Sequence, residues 1–269
     1  PMISFKFVLG DISNKHRIEP LFQKYQFSVV YHAAAYKHVP LIEENPHEAV
    51  LVNILGTKNL STLASQYKVN RFVMVSTDKA VKPTNVMGAS KRAAELFVQA
   101  LQNTENNTTK FITTRFGNVL GSNGSVIPHF KRQIKNGGPI TITHAEITRY
   151  FMTIPEACDL VLQAGAMGKG GEIFVFDMGE PVKIVDLAKR MIKLSGLEPE
   201  IDIKIIYTGL RPGEKLYEEL LSDDATTMPT HHEKIMISKD NTMEYQEIEK
   251  FCNHISKSAL RGEKVEVVR

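Results

Sequence analysis

Short apolar runs alternate with longer amphipathic stretches through the first 120 residues of the chain. The runs are rich in β-branched and aromatic residues, and they predict strands at 5–9, 28–32, 71–75 and 110–114. The stretches between them predict helices over 17–25, 46–67 and 85–102. The predicted strands are mostly apolar on both faces, which is typical of parallel strands covered by helices. This alternation predicts a doubly wound α/β fold with a parallel sheet.

The rhythm changes after about residue 118, where a loop rich in Gly and Ser begins. Further helices are predicted over 126–136, 155–167, 184–195 and 244–260. Further strands are predicted at 140–142, 172–176, 203–207 and 234–238, and the second of these is expected to rejoin the parallel sheet. We therefore predict a first region over 1–120, with its sheet completed near 150–180. A smaller α/β lobe with a C-terminal extension is predicted over 121–150 and 180–269.

Composition narrows the class of protein. The 269 residues are 42% hydrophobic and 23% charged, which is average for a soluble globular protein with a sizeable core. A net charge of +3 is too small to predict a nucleic-acid partner, and no apolar run is long enough to predict membrane contact. Two cysteines, Cys158 and Cys252, predict neither a disulfide framework nor a metal site. A reducing compartment, the cytoplasm, is therefore expected.

Residues that could bind a ligand or move a proton follow each of the first four predicted strands, and the fourth is followed by Arg115-Phe116-Gly117-Asn118. In an open α/β sheet, ligands bind beyond the carboxyl ends of the strands. Asp11 follows the first strand and could accept a hydrogen bond from an adenine amine, whereas Ala33-Ala34-Ala35 follows the second and leaves room for a flat ligand. Asp78 and Lys79 follow the third, and an acid beside a base suits proton removal from carbon coupled to loss of a leaving group. Each of these residues could instead have only a structural role, in a turn, in close packing or as a helix cap. That all of them are expected at one edge of the sheet favours a ligand-binding site.

Five segments resemble motifs of the extended short-chain dehydrogenase/reductase family. They are HAAAYKHVPL at 32–41, STDKA at 76–80, NVMGASK at 85–91, RFGNVLGS at 115–122 and RPGEK at 211–215. Their order and identity are similar to those of the nucleotide-sugar 4,6-dehydratases of bacterial polysaccharide biosynthesis, over residues 9 to about 221. The resemblance implies that residues 1–120 are a Rossmann cofactor-binding region and that the second lobe binds substrate. It also implies a UDP-sugar substrate, UDP-N-acetylglucosamine above all, and a tightly bound, recycled NAD or NADP.

The reaction implied by this resemblance is an internal oxidation and reduction of the sugar. Hydride passes from sugar C4 to the cofactor, C5 loses a proton, the C6 hydroxyl leaves as water, and the hydride returns to C6. Asp78 is the implied acid for the C6 hydroxyl, and Lys79 is the implied base at C5. Thr77 is expected to bond to the C4 hydroxyl, and Lys91 to the nicotinamide ribose. Because a lysine base must be neutral, we expect burial or a cationic neighbour such as Lys91 to lower the pKa of Lys79.

Position 87 departs from the wider superfamily, which has Tyr where this chain has Met87. A thioether cannot carry a proton, so Met87 cannot accept the C4 hydroxyl proton. The route of that proton is left open between Thr77, water and a nearby lysine. A subset of the dehydratases is similar to this chain in having Met there.

The resemblance implies two sets of binding residues. The expected cofactor-binding residues are Asp11, Ile12, Ala33, Ala34, Ala35, Asn53, Ser76, Lys91, Phe116 and Val119. The expected substrate-binding residues are Lys37, His38, Asn118, Ser125, Val126, Lys131, Thr141, Arg149, Arg211 and Glu214. Arg149 and Arg211 would grip the diphosphate, and Glu214 would bind the uridine ribose. Backbone N–H groups at the start of the helix near 126 also favour phosphate. A surface ion pair is the structural alternative for each arginine.

Two other functions fit part of the pattern. A nucleotide-sugar epimerase or reductase would use the same scaffold, although epimerisation at C4 does not need the Asp78–Lys79 pair. A catalytically inactive nucleotide-sugar-binding module is favoured by Met87. We also expect a homo-oligomer that associates through the helices predicted at 46–67 and 85–102.

The glycine fingerprint that opens a Rossmann domain does not occur in this sequence. Residues 5–9 resemble the third strand of the family, so the first βαβ unit is expected to lie upstream, along with the residue that distinguishes NAD from NADP. Relatives with Met at position 87 often carry membrane-spanning helices upstream. A membrane anchor outside this sequence is therefore an alternative to a purely cytoplasmic protein.

Weak cofactor binding by this chain is the first testable expectation. The dinucleotide pyrophosphate normally rests on the glycine-rich turn and helix of the first βαβ unit. Calorimetric titration with NAD should accordingly give a dissociation constant well above the micromolar range. Micromolar affinity would contradict this expectation.

Overall fold

The computed structural model of the chain describes residues 5–219 and 226–263. Its strands are β1 (Val29–His32), β2 (Arg71–Val75), β3 (Lys110–Arg115), β4 (Asn118–Val119), β5 (Ile140–Ile142), β6 (Thr148–Arg149), β7 (Phe151–Met152), β8 (Ile173–Phe176), β9 (Val182–Lys183), β10 (Ile205–Tyr207), β11 (Thr226–Pro229) and β12 (Ile235–Lys239). Its α-helices are α1 (Lys15–Tyr25), α2 (Val39–Glu44), α3 (Pro46–Ala49), α4 (Thr57–Gln66), α5 (Val86–Gln102), α6 (Val126–Lys135), α7 (Ile154–Met167), α8 (Ile184–Leu194) and α9 (Tyr245–Leu260). A π-helical segment over Val50–Gly56 joins α3 to α4, and a 3₁₀ turn spans Asp78–Ala80. Within the described ranges, no helix combines the length and apolar character needed to cross a membrane.

The central sheet is the framework of the fold. In the described residues it has six strands in the order β1-β2-β3-β8-β12-β11. The first four are parallel, and β12 and β11 continue the sheet with antiparallel pairing. The parallel pairing of β3 with β8 confirms that residues 173–176 rejoin the parallel sheet. The predicted doubly wound α/β fold is confirmed.

Successive side chains of the strands enter two different cores, as the pleat of a strand requires. Phe72 and Met74 of β2 pack in a cluster with residues of α4, α5 and α9, whereas Val73 packs on the opposite face with α7. All three side chains are fully buried. Helices cover both faces of the sheet, and this explains why the strand sequences do not alternate between apolar and polar residues.

A separate cluster forms the core of the second lobe. It joins α6 and α8 to strands β5 and β10, with Phe130, Ile140 and Ala188 among its buried members. Strand β5 pairs with β10 in parallel, away from the central sheet. The second lobe therefore has its own apolar core beside the one that supports the central sheet.

Residues 5–9 do not form the predicted strand. They have no regular secondary structure, and Phe5 and Phe7 are 86% and 75% exposed. In the described part of the chain, β1 pairs with β2 alone, so these residues have no neighbouring strand to satisfy their backbone groups. An apolar run of this kind becomes a strand only where a partner completes its hydrogen bonds.

The C-terminal segment also differs from the predicted grouping. The prediction groups residues 226–239 with the second lobe and its C-terminal extension, whereas β11 and β12, which lie in this segment, form the edge of the central sheet. Helix α9 packs against the π-helical segment and α5, and its Tyr245 ring lies 5.8 Å from the Phe97 ring. Helix α9 thus covers part of the helix surface through which we expected the chain to associate. Oligomerisation stays a prediction.

A buried ion-pair network ties the C-terminal segment to α5. The carboxylate of Glu95 accepts hydrogen bonds from Arg115 Nε (2.9 Å) and Nη2 (2.5 Å). Arg115 Nη2 also donates to Asp240 Oδ2 at 2.7 Å, and both Glu95 and Arg115 are fully buried. Burial alone would raise the pKa of Glu95, but the neighbouring Arg115 holds it below its ordinary value. The pair is therefore charged inside the core, where removal of one partner is costly.

The variant Arg115→Met tests this network. It leaves the Glu95 carboxylate buried without its principal cation, so we expect the free energy of unfolding to fall by about 3–5 kcal/mol. Urea denaturation measures the change. As a control, Lys183→Met removes an exposed pair with Glu146 and should leave the denaturation midpoint almost unchanged. Equal effects of the two variants would contradict the prediction.

Candidate functional site

A cavity of about 850 Å³ opens beyond the carboxyl ends of β1, β2 and β3 and extends to the second lobe. Its volume lies within the range of ordinary ligand sites. The predicted residues that line it are Ala33, Ala35, Lys37, His38, Ser76, Thr77, Lys79, Met87, Lys91, Phe116, Asn118, Val119, Ser125, Val126, Thr141, Arg149, Arg211 and Glu214. Residues far apart in the sequence therefore meet in one cavity. The carboxyl ends of parallel strands bring them there.

The turn after β2 joins a hydroxyl, a carboxylate and an ammonium by hydrogen bonds. Thr77 Oγ1 donates to Asp78 Oδ1 at 2.9 Å, and Lys79 Nζ donates to the same oxygen at 3.0 Å. The second carboxylate oxygen, Oδ2, is buried and has no hydrogen-bond partner among the described residues. The Asp78 side chain is 1% exposed and lies behind the cavity wall, which Thr77 and Lys79 form. Asp78 thus contacts the cavity through these two neighbours.

Helix α5 sits against this turn because residue 88 is glycine. A Cβ atom at Gly88 would lie 2.2 Å from the carbonyl oxygen of Lys79, which is far too close for any other residue. Asn85 caps the helix by accepting a hydrogen bond from Gly88 N at 2.8 Å. This close packing brings Met87 and Lys91, one helical turn apart, to the cavity wall.

Lys91 is buried beneath the cavity, and its ammonium has few partners among the described residues. Nζ donates to the carbonyl oxygen of Val75 at 2.7 Å. Burial lowers the pKa of Lys91 to about 8, although the charge of Glu95 partly opposes this shift. An ammonium carries three donors, so Lys91 has capacity to bind a ligand hydroxyl.

The pKa of Lys79 is shifted in the opposite direction from the one that we expected. Its Nζ lies 3.0 Å from Asp78 Oδ1, 3.3 Å from Asn118 Oδ1 and 3.3 Å from Glu218 Oε1. Burial alone would lower its pKa, but the two carboxylates raise the pKa above the ordinary lysine value. The prediction of a lowered pKa for Lys79 was therefore wrong. The cation that opposes the carboxylates is Arg149, not Lys91.

The side of the cavity that faces the second lobe is held together by Arg149. Its guanidinium donates to the carbonyl oxygens of Thr148 (2.7 Å) and Lys215 (2.9 Å), and it lies 3.5 Å from Glu214 Oε1. Glu214 also accepts hydrogen bonds from the Thr143 hydroxyl at 3.0 Å and from the backbone N–H of Arg211. These contacts arrange the loop that carries the RPGEK motif around the cavity.

Ser125 lies at the amino end of α6, where backbone N–H groups point towards the cavity. Its hydroxyl is buried and has no hydrogen-bond partner among the described residues. On the neighbouring wall, Lys37 Nζ donates to Ser122 Oγ at 3.2 Å. Burial and the nearby Lys79 lower the pKa of Lys37. This corner of the cavity offers hydrogen-bond donors to an anionic ligand.

Two predicted cofactor residues lie elsewhere. Asp11 is exposed and accepts a hydrogen bond from Ser13 N at 2.8 Å, which is the geometry of a turn residue. Ile12 packs against the π-helical segment, where a Cβ at Gly56 would lie 2.6 Å from its Cδ1. Neither residue lines the cavity. In this structure both have structural roles.

Three further predicted residues also lie off the cavity wall. Asn53 is buried, and its side chain bonds to Tyr36 N (2.8 Å), Tyr36 O (3.0 Å) and Ser90 Oγ (2.9 Å). It therefore ties the loop after β1 to α5 and positions Ala33 and Ala35 only indirectly. Ala34 does not face the cavity, and Lys131 is an exposed residue of α6.

Several cavity residues were not predicted, and Glu218 is the most important of them. Its side chain is 4% exposed, and it contacts both Lys79 and Arg149. Arg132, His129 and Lys215 also line the cavity. Lys215 belongs to the RPGEK motif, which was a usable signal. Glu218 lies outside every motif, and its role depends on a contact that the sequence does not reveal.

The residues that line the cavity next to the central sheet fit a flat nucleotide cofactor. Ala33 and Ala35 leave the wall open beside Val75, and Lys91 offers donors to a ribose. Phe116 stacks on Phe176, with ring centroids 5.4 Å apart, and presents an apolar surface next to these residues. Small residues, one aromatic ring and a buried ammonium together suit a ligand of this kind.

Comparison with known proteins relates the chain to enzymes of nucleotide sugars. A family model described as "Polysaccharide biosynthesis protein" matches residues 2–240. Capsular polysaccharide biosynthesis protein CapD of Staphylococcus aureus is 56% identical over 262 residues, which are 96% of this chain and 43% of that protein. UDP-N-acetylglucosamine 4,6-dehydratase (inverting) of Campylobacter jejuni is 39% identical over 221 residues (81% of this chain, 63% of the relative). UDP-glucose 4-epimerase of Rickettsia canadensis is 40% identical over 220 residues (81% of this chain, 62% of the relative).

Among solved structures, the X-ray structure of Pen from Bacillus thuringiensis is similar to this one. The TM-score is 0.78 at 35% identity, and the match covers 93% of this chain and 82% of that chain. The likeness supports the α/β fold with a parallel core. The chain spans less than half of CapD and about three fifths of the other two relatives.

The ionisation of Lys91 predicts how stability depends on pH. Its pKa is about 8 in the folded protein and about 10.4 in an unfolded chain, so between these values the unfolded state binds more protons. The free energy of unfolding of the wild type, measured against that of Lys91→Met, should therefore rise from pH 8 to pH 10.5 by on the order of 2–3 kcal/mol. Urea denaturation at several pH values measures this difference.

The variant Met87→Leu is the control for this experiment. Met87 lies on the same face of α5, but its replacement removes no titratable group. The free energy of unfolding of this variant should therefore differ from that of the wild type by the same amount at every pH. A difference between wild type and Lys91→Met that is constant from pH 7 to pH 10.5 would exclude a lowered pKa for Lys91.

Proposed function

This chain belongs to the polysaccharide biosynthesis protein family, and from that premise we propose that it dehydrates a UDP-N-acetylhexosamine to the 4-keto-6-deoxy sugar. UDP-N-acetylglucosamine is the substrate that we propose, for surface polysaccharide or glycan biosynthesis. The observation that carries the proposal is the hydrogen-bonded group of Thr77, Asp78 and Lys79 at the cavity. A hydroxyl, a carboxylate and an amine in contact suit proton transfer at adjacent carbons. The relative named as a UDP-N-acetylglucosamine 4,6-dehydratase supports the substrate class.

A nicotinamide cofactor, NAD or NADP, would be held between Ala33, Ala35 and Lys91. When bound, it supplies the hydride acceptor for sugar C4 and the hydride donor for C6, so that it is recycled in each turnover. Lys91 would hold the ribose by the donors that Val75 leaves free. Phe116 would exclude water from one side of the nicotinamide ring.

Thr77 and Asp78 are proposed to move the proton of the C4 hydroxyl. Met87 lines the cavity but has no proton to exchange, whereas the Thr77 hydroxyl already donates to Asp78 Oδ1 at 2.9 Å. Thr77 would accept the C4 hydroxyl proton as it passes its own proton to Asp78. Asp78 lies behind the cavity wall, so it would then return this proton through the Thr77 hydroxyl to the C6 hydroxyl, which leaves as water. The number of protons taken from the C4 hydroxyl equals the number given to the C6 hydroxyl, so no further acid is needed.

Lys79 is proposed to take the C5 proton and to return it to C5 after water has left. It acts as a base only in its neutral form, and the neighbouring carboxylates raise its pKa. At neutral pH most molecules therefore hold the ammonium form. The rate of the proposed reaction should consequently increase with pH, since the population of neutral amine increases.

The substrate diphosphate is proposed to bind where Ser125, Arg149 and Arg211 meet the cavity. The Ser125 hydroxyl, at the amino end of α6, has no hydrogen-bond partner among the described residues, and one guanidinium, such as that of Arg211, can bind two phosphate oxygens at once. Arg149, whose N–H groups already bind carbonyl and carboxylate oxygens, would contribute its positive charge. Glu214 would accept hydrogen bonds from the ribose. This arrangement would place the sugar between the diphosphate and the turn that carries Lys79.

Epimerisation is the second candidate, because a UDP-glucose 4-epimerase is 40% identical to this chain. An epimerase leaves the mass of the sugar unchanged, whereas a dehydratase removes one water. Mass spectrometry of the sugar product therefore separates the two reactions. The buried Asp78–Lys79 pair favours dehydration, since epimerisation at C4 needs no proton transfer at C5.

The decisive experiment is incubation of the protein with UDP-N-acetylglucosamine and millimolar NAD, followed by NMR. We expect a C6 methyl signal without any added reductant.

Asp78→Asn and Lys79→Met should each reduce the rate by about 10²–10⁴-fold, because each removes one proton-transfer group. Binding of the UDP-sugar should be retained by both variants. Asp177→Asn, at an exposed turn, is the control and should keep the wild-type rate.

Two outcomes would contradict this proposal. Absence of the methyl signal for the wild-type protein, at an NAD concentration at which calorimetry shows the cofactor bound, would exclude dehydration of this sugar. Full activity of Asp78→Asn or Lys79→Met would leave dehydration in place but overturn the assigned roles of these two residues.

A further inference from the structure

Glu218 connects the turn that carries Lys79 to the second lobe. Its Oε1 lies 3.3 Å from Lys79 Nζ and 3.6 Å from Arg149 Nε, so two cations from different parts of the fold share one carboxylate oxygen. The side chain is 4% exposed and borders the cavity. A buried carboxylate is expensive unless cations compensate it. The position of Glu218 is therefore determined by these contacts.

The charged groups around Lys79 come from several elements. Asp78 lies on its own turn, Glu218 follows the RPGEK loop, Arg149 belongs to β6, and Lys37 lies on the loop after β1. The two carboxylates favour the ammonium form of Lys79, whereas Arg149 and burial favour the neutral amine. Asn118 Oδ1, at 3.3 Å, accepts a further hydrogen bond from Nζ. Nζ therefore has three oxygen partners in fixed positions.

We propose that Glu218 is a positioning residue for this reaction, which acts through Lys79 by holding Nζ beside Asp78 and by setting the pH range in which the amine takes up the C5 proton. This inference rests on the proposed function. Glu218 does not exchange a proton with the sugar in this scheme. Asp78 is committed to the C4 and C6 hydroxyls, so Glu218 is the carboxylate that remains beside Lys79 throughout a turnover.

The charge of Glu218 has two opposing effects on a base. It strengthens the neutral amine as a proton acceptor, because the ammonium that forms is stabilised by the carboxylate. It also reduces the fraction of enzyme that holds the neutral amine at a given pH. Loss of the charge should therefore move the rising part of the pH–rate profile to lower pH and lower the rate at its plateau.

Trace acetylation measures the ionisation of Lys79 without any turnover. The protein is labelled with acetic anhydride over about pH 7 to 11, and the extent of labelling of each lysine is determined by peptide mass spectrometry. In the wild type, Lys79 should titrate at higher pH than the exposed lysines of the same sample. In Glu218→Gln the titration should move down by about one pH unit or more, since an opposite charge at this distance shifts a pKa by about 1–3 units.

Glu219→Gln is the matched control. Glu219 is the next residue, but it is 41% exposed and pairs with Lys82 at 3.4 Å. This variant should leave the titration of Lys79 and the pH–rate profile unchanged. If Glu218→Gln does not fold, the wild-type titration can still overturn the proposal, because a Lys79 that titrates below the exposed lysines is not held in its ammonium form by Glu218.

The pH dependence of kcat/KM for the UDP-sugar completes the test. A shift of the rising limb to lower pH in Glu218→Gln, together with the shift in labelling, supports the proposal. An active variant whose profile and labelling match those of the wild type overturns it. A shift in labelling without turnover by the wild type would contradict the proposed function, while the control of Lys79 ionisation by Glu218 would stand.

Discussion

The close contact between α5 and the turn that carries Lys79 is the constraint on which the site depends. Gly88 allows the helix to approach the carbonyl oxygen of Lys79 to a distance that no Cβ could tolerate. The same helix places Met87 and Lys91 at the cavity, and one turn further on its Glu95 enters the buried pair with Arg115. A displacement of α5 would therefore disturb the turn, the cavity wall that Met87 and Lys91 form and the ion-pair network together.

Much of the fold followed from the sequence because its signals are local. Strands that are apolar on both faces, separated by helices, specify a covered parallel sheet, and motif residues after those strands converge at one edge. The strand predicted at 5–9 was wrong because a strand also needs a partner, which its own sequence does not encode. The placement of β11 and β12 on the central sheet is a long-range pairing, and no periodicity signals it.

The site shows the same division between local and long-range information. Thr77, Lys79 and Lys91 reach the cavity as predicted, since their motifs follow a strand or lie on one helix face. The direction of the Lys79 shift was wrong because burial was weighed without the two carboxylates that face the amine. Glu218, the second of these, approaches from a distant part of the chain. The electrostatic balance of a buried amine depends on such contacts, so it required the three-dimensional structure.

Two lysines at the cavity have pKa values shifted in opposite directions. Lys91 is buried away from solvent, and the charge of Glu95 compensates its ammonium only partly, so its pKa falls to about 8. Lys79 is also largely removed from solvent, but two carboxylates and an amide oxygen surround it, and its pKa rises. A hydroxyl–carboxylate pair beside Lys79 offers a proton route that Met87 cannot provide. The proposed reaction needs such a route because methionine stands where a tyrosine would carry the proton, and Thr77 and Asp78, within hydrogen-bond distance of the proposed base, would provide it.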